Sequence, residues 1–235
     1  MTAPGSKVRI RPFGEAALLV ELGEEPELTV NGRVHALAAA LDARPLPGLR
    51  SLVPAYTSLL VEFDPLLADP TEVEAAIRAR LERTSAAAPL PGRYRTIPTV
   101  YGGEFGPDLN EVAALVGLSP TEVIERHSGT EQRVYMLGFA PGFPYLGDLP
   151  PELALPRLAT PRERVPAGSV AIAGRQTGIY PRPTPGGWRL LGRTPLTLFD
   201  ERRTPPAYLA PGDRVRFVPI APGEWARYAG PAPDW

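Results

Sequence analysis

Cysteine is missing altogether from the 235 residues. Disulfides, thiolate nucleophiles, iron–sulfur clusters and sulfur-ligated zinc are therefore excluded. Lysine is nearly as scarce, because of the 25 basic residues only Lys7 is a lysine and the rest are arginine. A Walker phosphate loop ends in Gly-Lys-Ser/Thr, so none is present, and no G-x-G-x-x-G or G-x-S-x-G string occurs either. The two histidines, His35 and His127, are far apart in sequence. With no thiolates to join them, a metal site in this chain is not expected.

A formal charge of -1 leaves no basic footprint for nucleic acid or for an anionic membrane. No apolar run approaches the ~20 residues of a membrane span, and the opening MTAPGSKVRIR lacks the apolar stretch of a secretory signal. The expectation is a cytoplasmic protein that binds neither nucleic acid nor membrane. What the chain has in excess is glycine (23) and proline (31), about twice their usual combined share. Since 43% of residues are hydrophobic and 22% charged, this is a globular composition, and the extra turns must punctuate folded structure.

Periodicity divides the chain in two. KVRIRPF and AALLVEL alternate like strands, and Val30, Val34, Leu37 and Leu41 place one apolar face on a helix over Thr29 to Asp42. Short strands follow near Leu49 to Val53 and Ser58 to Phe63. The next helix has an N-cap candidate in Asp69, Pro70 at its first position, Glu72 to close a capping box, and Val73, Ile77 and Leu81 as its buried stripe. Residues 1–84 read as a small α+β domain, and SAAAPLPG (85–92) as a linker. Residues 93–235 read as a mainly-β domain with two short helices. It opens on a strand at Tyr94 to Tyr101, and capping boxes at Asp108/Glu111 and Ser119/Glu122 start the helices, with Gly117 and Gly129 as stops. The runs RVYML, SVAIAG, GWRLLG, LTLF and DRVRFVPI then predict a closed or nearly closed barrel.

Two segments concentrate candidate functional residues. LGFAPGFPYLG (137–147) is too rich in Gly and Pro for a central strand and reads as a stiff, irregular loop. Burying Phe139, Phe143 and Tyr145 stabilises by roughly 1.5–3 kcal/mol each, so these rings either plug a barrel end or form a pocket wall or docking surface. The segment 160–188 sets Arg162, Arg164, Arg175 and Arg182 among prolines and glycines, together with Gln176, Thr177 and Tyr180. Arginine forks in a rigid loop suit carboxylate or phosphate, and Gln and Thr suit an amide. The alternative is solvated arginines around an ordinary hairpin turn. His127 falls in the last turn of a helix, where the dipole favours an imidazolium, and it is the one histidine of the larger domain able to carry a proton near neutral pH.

The strings YGGEFGPDL, HSG with VYMLGFAPGFPYLGDLP, ATPRERVPAGSVAIAGRQTGIYPRPTPGGWRLLGRT and PGDRVRFVPI, in that order, resemble the 5-oxoprolinase B-subunit family, also described as the allophanate hydrolase subunit 1 or sporulation-kinase-inhibitor family. The resemblance implies an N-terminal α+β domain followed by a cyclophilin-like β-barrel. It implies a hydrolase subunit, inactive alone, that works with the C and A subunits of 5-oxoprolinase to open 5-oxo-L-proline to L-glutamate with ATP, the ATP-holding chain being left open. Under it His127 is a proton-transfer or orienting residue, Arg162, Gln176 and Thr177 are polar contacts, and Phe139, Phe143 and Tyr180 form the wall of a substrate groove. Two other functions stay open. One is an allophanate hydrolase or urea carboxyltransferase-type subunit with carboxylated biotin in the groove, and the other is a non-catalytic inhibitor of a sensor histidine kinase.

Overall fold

The computed structural model describes residues 8–83 and 90–235. Residues 85–89 of the expected linker lie outside that range. By contact density the chain divides into units at residues 1–90 and 91–235.

The first unit contains β1 (Arg9–Pro12), β2 (Ala17–Glu21), α1 (Leu28–Ala43), β3 (Leu49–Pro54), β4 (Ser58–Phe63) and α2 (Pro70–Arg83). Its sheet runs β1-β2-β4-β3, antiparallel throughout. Strict alternation in β4 sends Leu59, Val61 and Phe63 to one face, where Val34, Leu37 and Leu41 of α1 and Val73 and Ile77 of α2 cover them. Asp69 caps α2 as expected, its Oδ1 accepting from Thr71 N at 2.7 Å.

The second unit contains β5 (Tyr94–Tyr101), α3 (Leu109–Val116), α4 (Pro120–Gly129), β6 (Gln132–Leu137), β7 (Pro144–Gly147), β8 (Arg162–Val165), β9 (Ser169–Ala173), β10 (Gln176–Ile179), β11 (Thr184–Gly186), β12 (Arg189–Arg193), β13 (Leu196–Thr197), β14 (Arg214–Pro219), α5 (Trp225–Tyr228) and β15 (Gly230–Pro231). Seven strands close a barrel in the order β10-β7-β6-β14-β5-β12-β9, with β9 and β10 paired to complete it. All its pairs are antiparallel except β14 with β5. Ile97, Val134, Leu146, Val170, Ile179, Val215 and Phe217, drawn from β5, β6, β7, β9, β10 and β14, share one buried cluster and fill the interior. Among the described residues no helix is long and apolar enough to cross a membrane.

Two local expectations are corrected. Residues 144–147 of the expected irregular loop form β7, a barrel strand hydrogen-bonded on both sides to β6 and β10. Proline is tolerated there because it occupies the first strand position, and only residues 138–143 remain as the connecting loop. Asp108 does not cap α3 with its side chain. Its carboxylate is used across the fold instead, accepting from Arg162 Nη2 at 2.5 Å and from Leu190 N at 2.7 Å. The Ser119/Glu122 capping box of α4 forms as expected, and Gly117 closes α3 at φ +70°.

Candidate functional site

Side chains alternate along a strand, so residues flanking the barrel's inward set face outward. On β9 these are Ala171 and Ala173, and on β10 Gly178. Such small residues leave a shallow outer floor, onto which Phe143, Tyr180 and Trp188 pack. A Cβ at position 178 would lie 2.5 Å from the Phe143 ring and 2.8 Å from Trp188, so the rings rest on bare backbone. Gly186 admits the Tyr180 hydroxyl in the same way, at 2.3 Å from where its Cβ would stand. This is the physical reason for glycine at both places.

Phe143 is the hub of the cluster. Its ring meets Phe139, Tyr145, Tyr180 and Trp188 edge-on at centroid distances of 5.3, 5.0, 5.2 and 5.6 Å. Phe143, Tyr180 and Trp188 are buried, but Phe139 is 61% exposed. Its backbone sits at φ +61°, a left-handed conformation that a bulky residue rarely adopts. Holding such a residue in that conformation costs on the order of 1–3 kcal/mol. Arg157 lies over Trp188 at 6.0 Å. Burial pushes the Tyr145 and Tyr180 hydroxyls up, against the opposing charge of Arg157, and both stay neutral donors. Arg162 keeps a buried Nη1 with no partner.

Of the candidates read from sequence, Phe139, Phe143 and Tyr180 are brought together here, and Tyr145 joins them. Arg162 is tied to Asp108. Gln176 is half-buried and opens β10 after a two-residue turn of Gly174 and Arg175, with Gly174 at φ +55°, the ordinary hairpin of the alternative. Arg164, Arg175 and Arg182 are exposed. Thr177 points elsewhere, to His127. Trp188, Arg157 and Asp108 belong to or support the cluster and were not among the site candidates. The doubled glycine before Trp188 was the available signal, since it lets a large ring lie close to a neighbouring strand.

His127 is fully buried at the α4 edge of the barrel interior, its ring 4.6 Å from that of Phe217. Tyr101 Oη is 2.8 Å from Nδ1 and Thr177 Oγ1 is 3.3 Å from Nε2. Tyr101 keeps part of its ring at the surface, yet its hydroxyl end is enclosed and burial holds it protonated. With Tyr101 donating to Nδ1, Nε2–H donates to Thr177, which satisfies a neutral imidazole completely. The imidazolium expected from the helix dipole does not form, because desolvation pushes His127 down to about 3. It has no exposed surface, and its two ring nitrogens are taken up by Tyr101 and Thr177.

That burial has a measurable consequence. Between the unfolded value of 6.5 and the folded value of about 3, the unfolded chain binds a proton at His127 that the folded chain does not. Stability from this group is complete above 6.5 and is lost as pH falls, by about 1.4 kcal/mol per pH unit. Denaturant unfolding at several pH values from 4 to 7 should show a shallower acid slope in His127→Gln than in the parent. Equal slopes would mean that the imidazole is charged in the fold.

Residues 8–209 match the family model for the carboxyltransferase domain, subdomain C and D. Over 232 residues the chain is 45% identical to the B subunit of 5-oxoprolinase from Bacillus subtilis (strain 168), covering 94% of this chain and 97% of that one. The chain belongs to the 5-oxoprolinase B-subunit family. A protein of the same name from Escherichia coli O157:H7 is 44% identical over 220 residues, 92% of this chain and 98% of its own. Among solved structures, TTHA0988 superposes with a TM-score of 0.76 at 41% identity, and the match covers 91% of this chain but 40% of that longer one. Kluyveromyces lactis urea carboxylase aligns with a TM-score of 0.79 over 96% of this chain and 23% of its own. At 21% identity it shows a shared fold alone.

Proposed function

We propose that this chain is the B subunit of an ATP-dependent 5-oxoprolinase, acting in the cytoplasm with the C and A subunits on 5-oxo-L-proline. The observation that carries this reading is near-full-length identity of 44–45% to relatives of that name. The barrel is read as cyclophilin-like, which by itself implies no prolyl isomerase activity. A planar lactam is a poor electrophile, so phosphorylation of its oxygen is what makes the ring carbon open to water and the C–N bond able to break. ATP supplies that phosphoryl group. The chain has neither common phosphate cradle in its sequence, and the reading assigns ATP to the complex rather than to a residue here.

In this reading the contribution of the chain is a rigid wall. Phe139 and the partly exposed edge of Tyr145 offer apolar surface, while Arg162, its side chain 30% exposed beside its bond to Asp108, is the polar contact for the substrate's carboxylate or lactam oxygen. Phe139 is exposed on a loop fixed from below by Phe143, which suits it to anchor the C subunit. The matching region is 40% of the TTHA0988 chain, so in that protein the same fold is joined to further polypeptide, which supports a companion for this one.

The test is to combine the chain with the C and A subunits and to follow ATP-dependent glutamate release from 5-oxo-L-proline, leaving out each chain in turn. Loss of release when this chain is omitted is the expected result. Undiminished release, or turnover of urea or allophanate instead, would overturn the assignment.

A further inference from the structure

The end of the barrel at the start of β5 holds a buried cation that is incompletely paired. Arg95 is the second residue of β5, and alternation turns it to the same side as Ile97, into the barrel. It is 2% exposed, and its Nε and Nη2 have no hydrogen-bond partner. Its guanidinium lies against the Tyr208 ring, 4.4 Å from the centroid. The nearest fixed carboxylate, Asp213, is only within 4.0 Å of Nε. Both Asp213 oxygens are already engaged, accepting from Arg93 N at 2.8 Å and from Ala210 N at 3.0 Å.

The close anion is Asp234. Arg95 Nη1 donates to its Oδ2 and, at 3.1 Å, to its backbone oxygen, and the Tyr208 hydroxyl donates to its Oδ1 at 3.0 Å. Burial, first, and the Asp234 contact push Tyr208 up to about 12, so its hydroxyl remains a donor near neutral pH. A guanidinium and a phenol converging on two oxygens of one carboxylate is the donor set by which proteins recognise a carboxylate ligand. The anion here is carried on a light strap. Residues 230–235 are held by the two-residue pairing of β15 with β13, by Ala232 in the core, and by Trp235, whose Nε1–H donates to Pro205 O at 3.2 Å while Arg203 stacks on its ring at 4.6 Å. Residues 230–235 contribute no strand to the barrel, so moving this strap leaves all seven paired.

We propose that Arg95 and the Tyr208 hydroxyl form a carboxylate-binding subsite at this end of the barrel, occupied in this structure by the chain's own Asp234 and opened when the strap lifts. The ligand class is a small monocarboxylate. The proposal does not depend on the 5-oxoprolinase reading, because none of its residues belongs to the aromatic cluster or to the His127 group.

The experiment titrates the full chain with sodium propionate at constant ionic strength, with propionamide as the uncharged control, and follows the indole N–H signal of Trp235 by NMR. Asp234→Asn removes the competing charge and should give a saturable shift with propionate at an affinity about 10-fold above that of the parent, and none with propionamide. Adding Arg95→Gln should abolish the shift while the remaining amide spectrum stays folded. Should that variant fail to fold, Arg95→Lys keeps the charge without the fork and should weaken the response several-fold. A response equal for propionate and propionamide, an affinity unchanged by Asp234→Asn, or no saturable shift in that variant would overturn the proposal.

Discussion

Replacing Phe143 with alanine is expected to lower the stability of the barrel unit by about 3–5 kcal/mol, a fall in Tm of roughly 10 °C. The ring is buried on a floor of Ala171, Ala173 and Gly178, none of which has a side chain long enough to move into the space left behind. The loss therefore contains the full cavity cost as well as four edge-to-face contacts, each worth about 0.5–1.5 kcal/mol. Phe143→Leu fills most of the volume without the ring edges and should cost about 1.5 kcal/mol. Tryptophan fluorescence during denaturant unfolding reads this directly, since Trp188, Trp225 and Trp235 all lie in residues 91–235. A cost below about 1 kcal/mol for Phe143→Ala would show that the cluster collapses freely and is no rigid wall.

The second large effect is expected at Asp108. Its two oxygens serve Arg162 and the buried N–H of Leu190, so Asp108→Ala strands a guanidinium and a backbone donor together. Breaking a buried ion pair from one side costs about 3–5 kcal/mol, and because Arg162 retains some exposure the lower end, about 3 kcal/mol, applies here. Asp108→Asn keeps an acceptor oxygen while losing the charge and should cost about half as much. A cycle with Arg162→Ala should return a coupling energy of about 1–3 kcal/mol. Strict additivity would mean that Arg162 is positioned by something other than Asp108.

Asp108 also shows where sequence stops being informative. Its spacing to Glu111 is that of a capping box, and the same spacing at Ser119 and Glu122 does form one. What separates them is Arg162, 54 positions away and brought alongside by the fold. Local pattern sees the capping residue but not the competing cation. β4 has the bounds that alternation predicts, because one of its faces is covered, and β5 also has the expected bounds although residues 97–100 are buried on both faces. β7 was hidden because Pro144 and Gly147 look like loop residues, and only its two neighbours make Pro-Tyr-Leu-Gly a strand.

The charged state expected of His127 failed for a related reason. Its place at a helix end was read correctly, and a helix end in water favours the charged ring. Here Phe217, Tyr101 and Thr177 enclose that end, and desolvation outweighs the dipole. The aromatic residues are brought together. Phe139 and Phe143 meet Tyr180, which follows a different strand, because large rings on turn-rich backbone have few places to be buried except on one another.

Whether the exposed ring of Phe139, held by a buried cluster, carries this chain into a working complex is open to one direct measurement. Glutamate release from 5-oxo-L-proline and ATP is followed at fixed amounts of the C and A subunits, titrated with the parent chain or with Phe139→Ser. The variant should reach the same maximal rate only at about 10-fold or more higher concentration, as for loss of an interface anchor worth at least ~1.4 kcal/mol. Superimposable titration curves for the two chains would contradict a docking role for this wall.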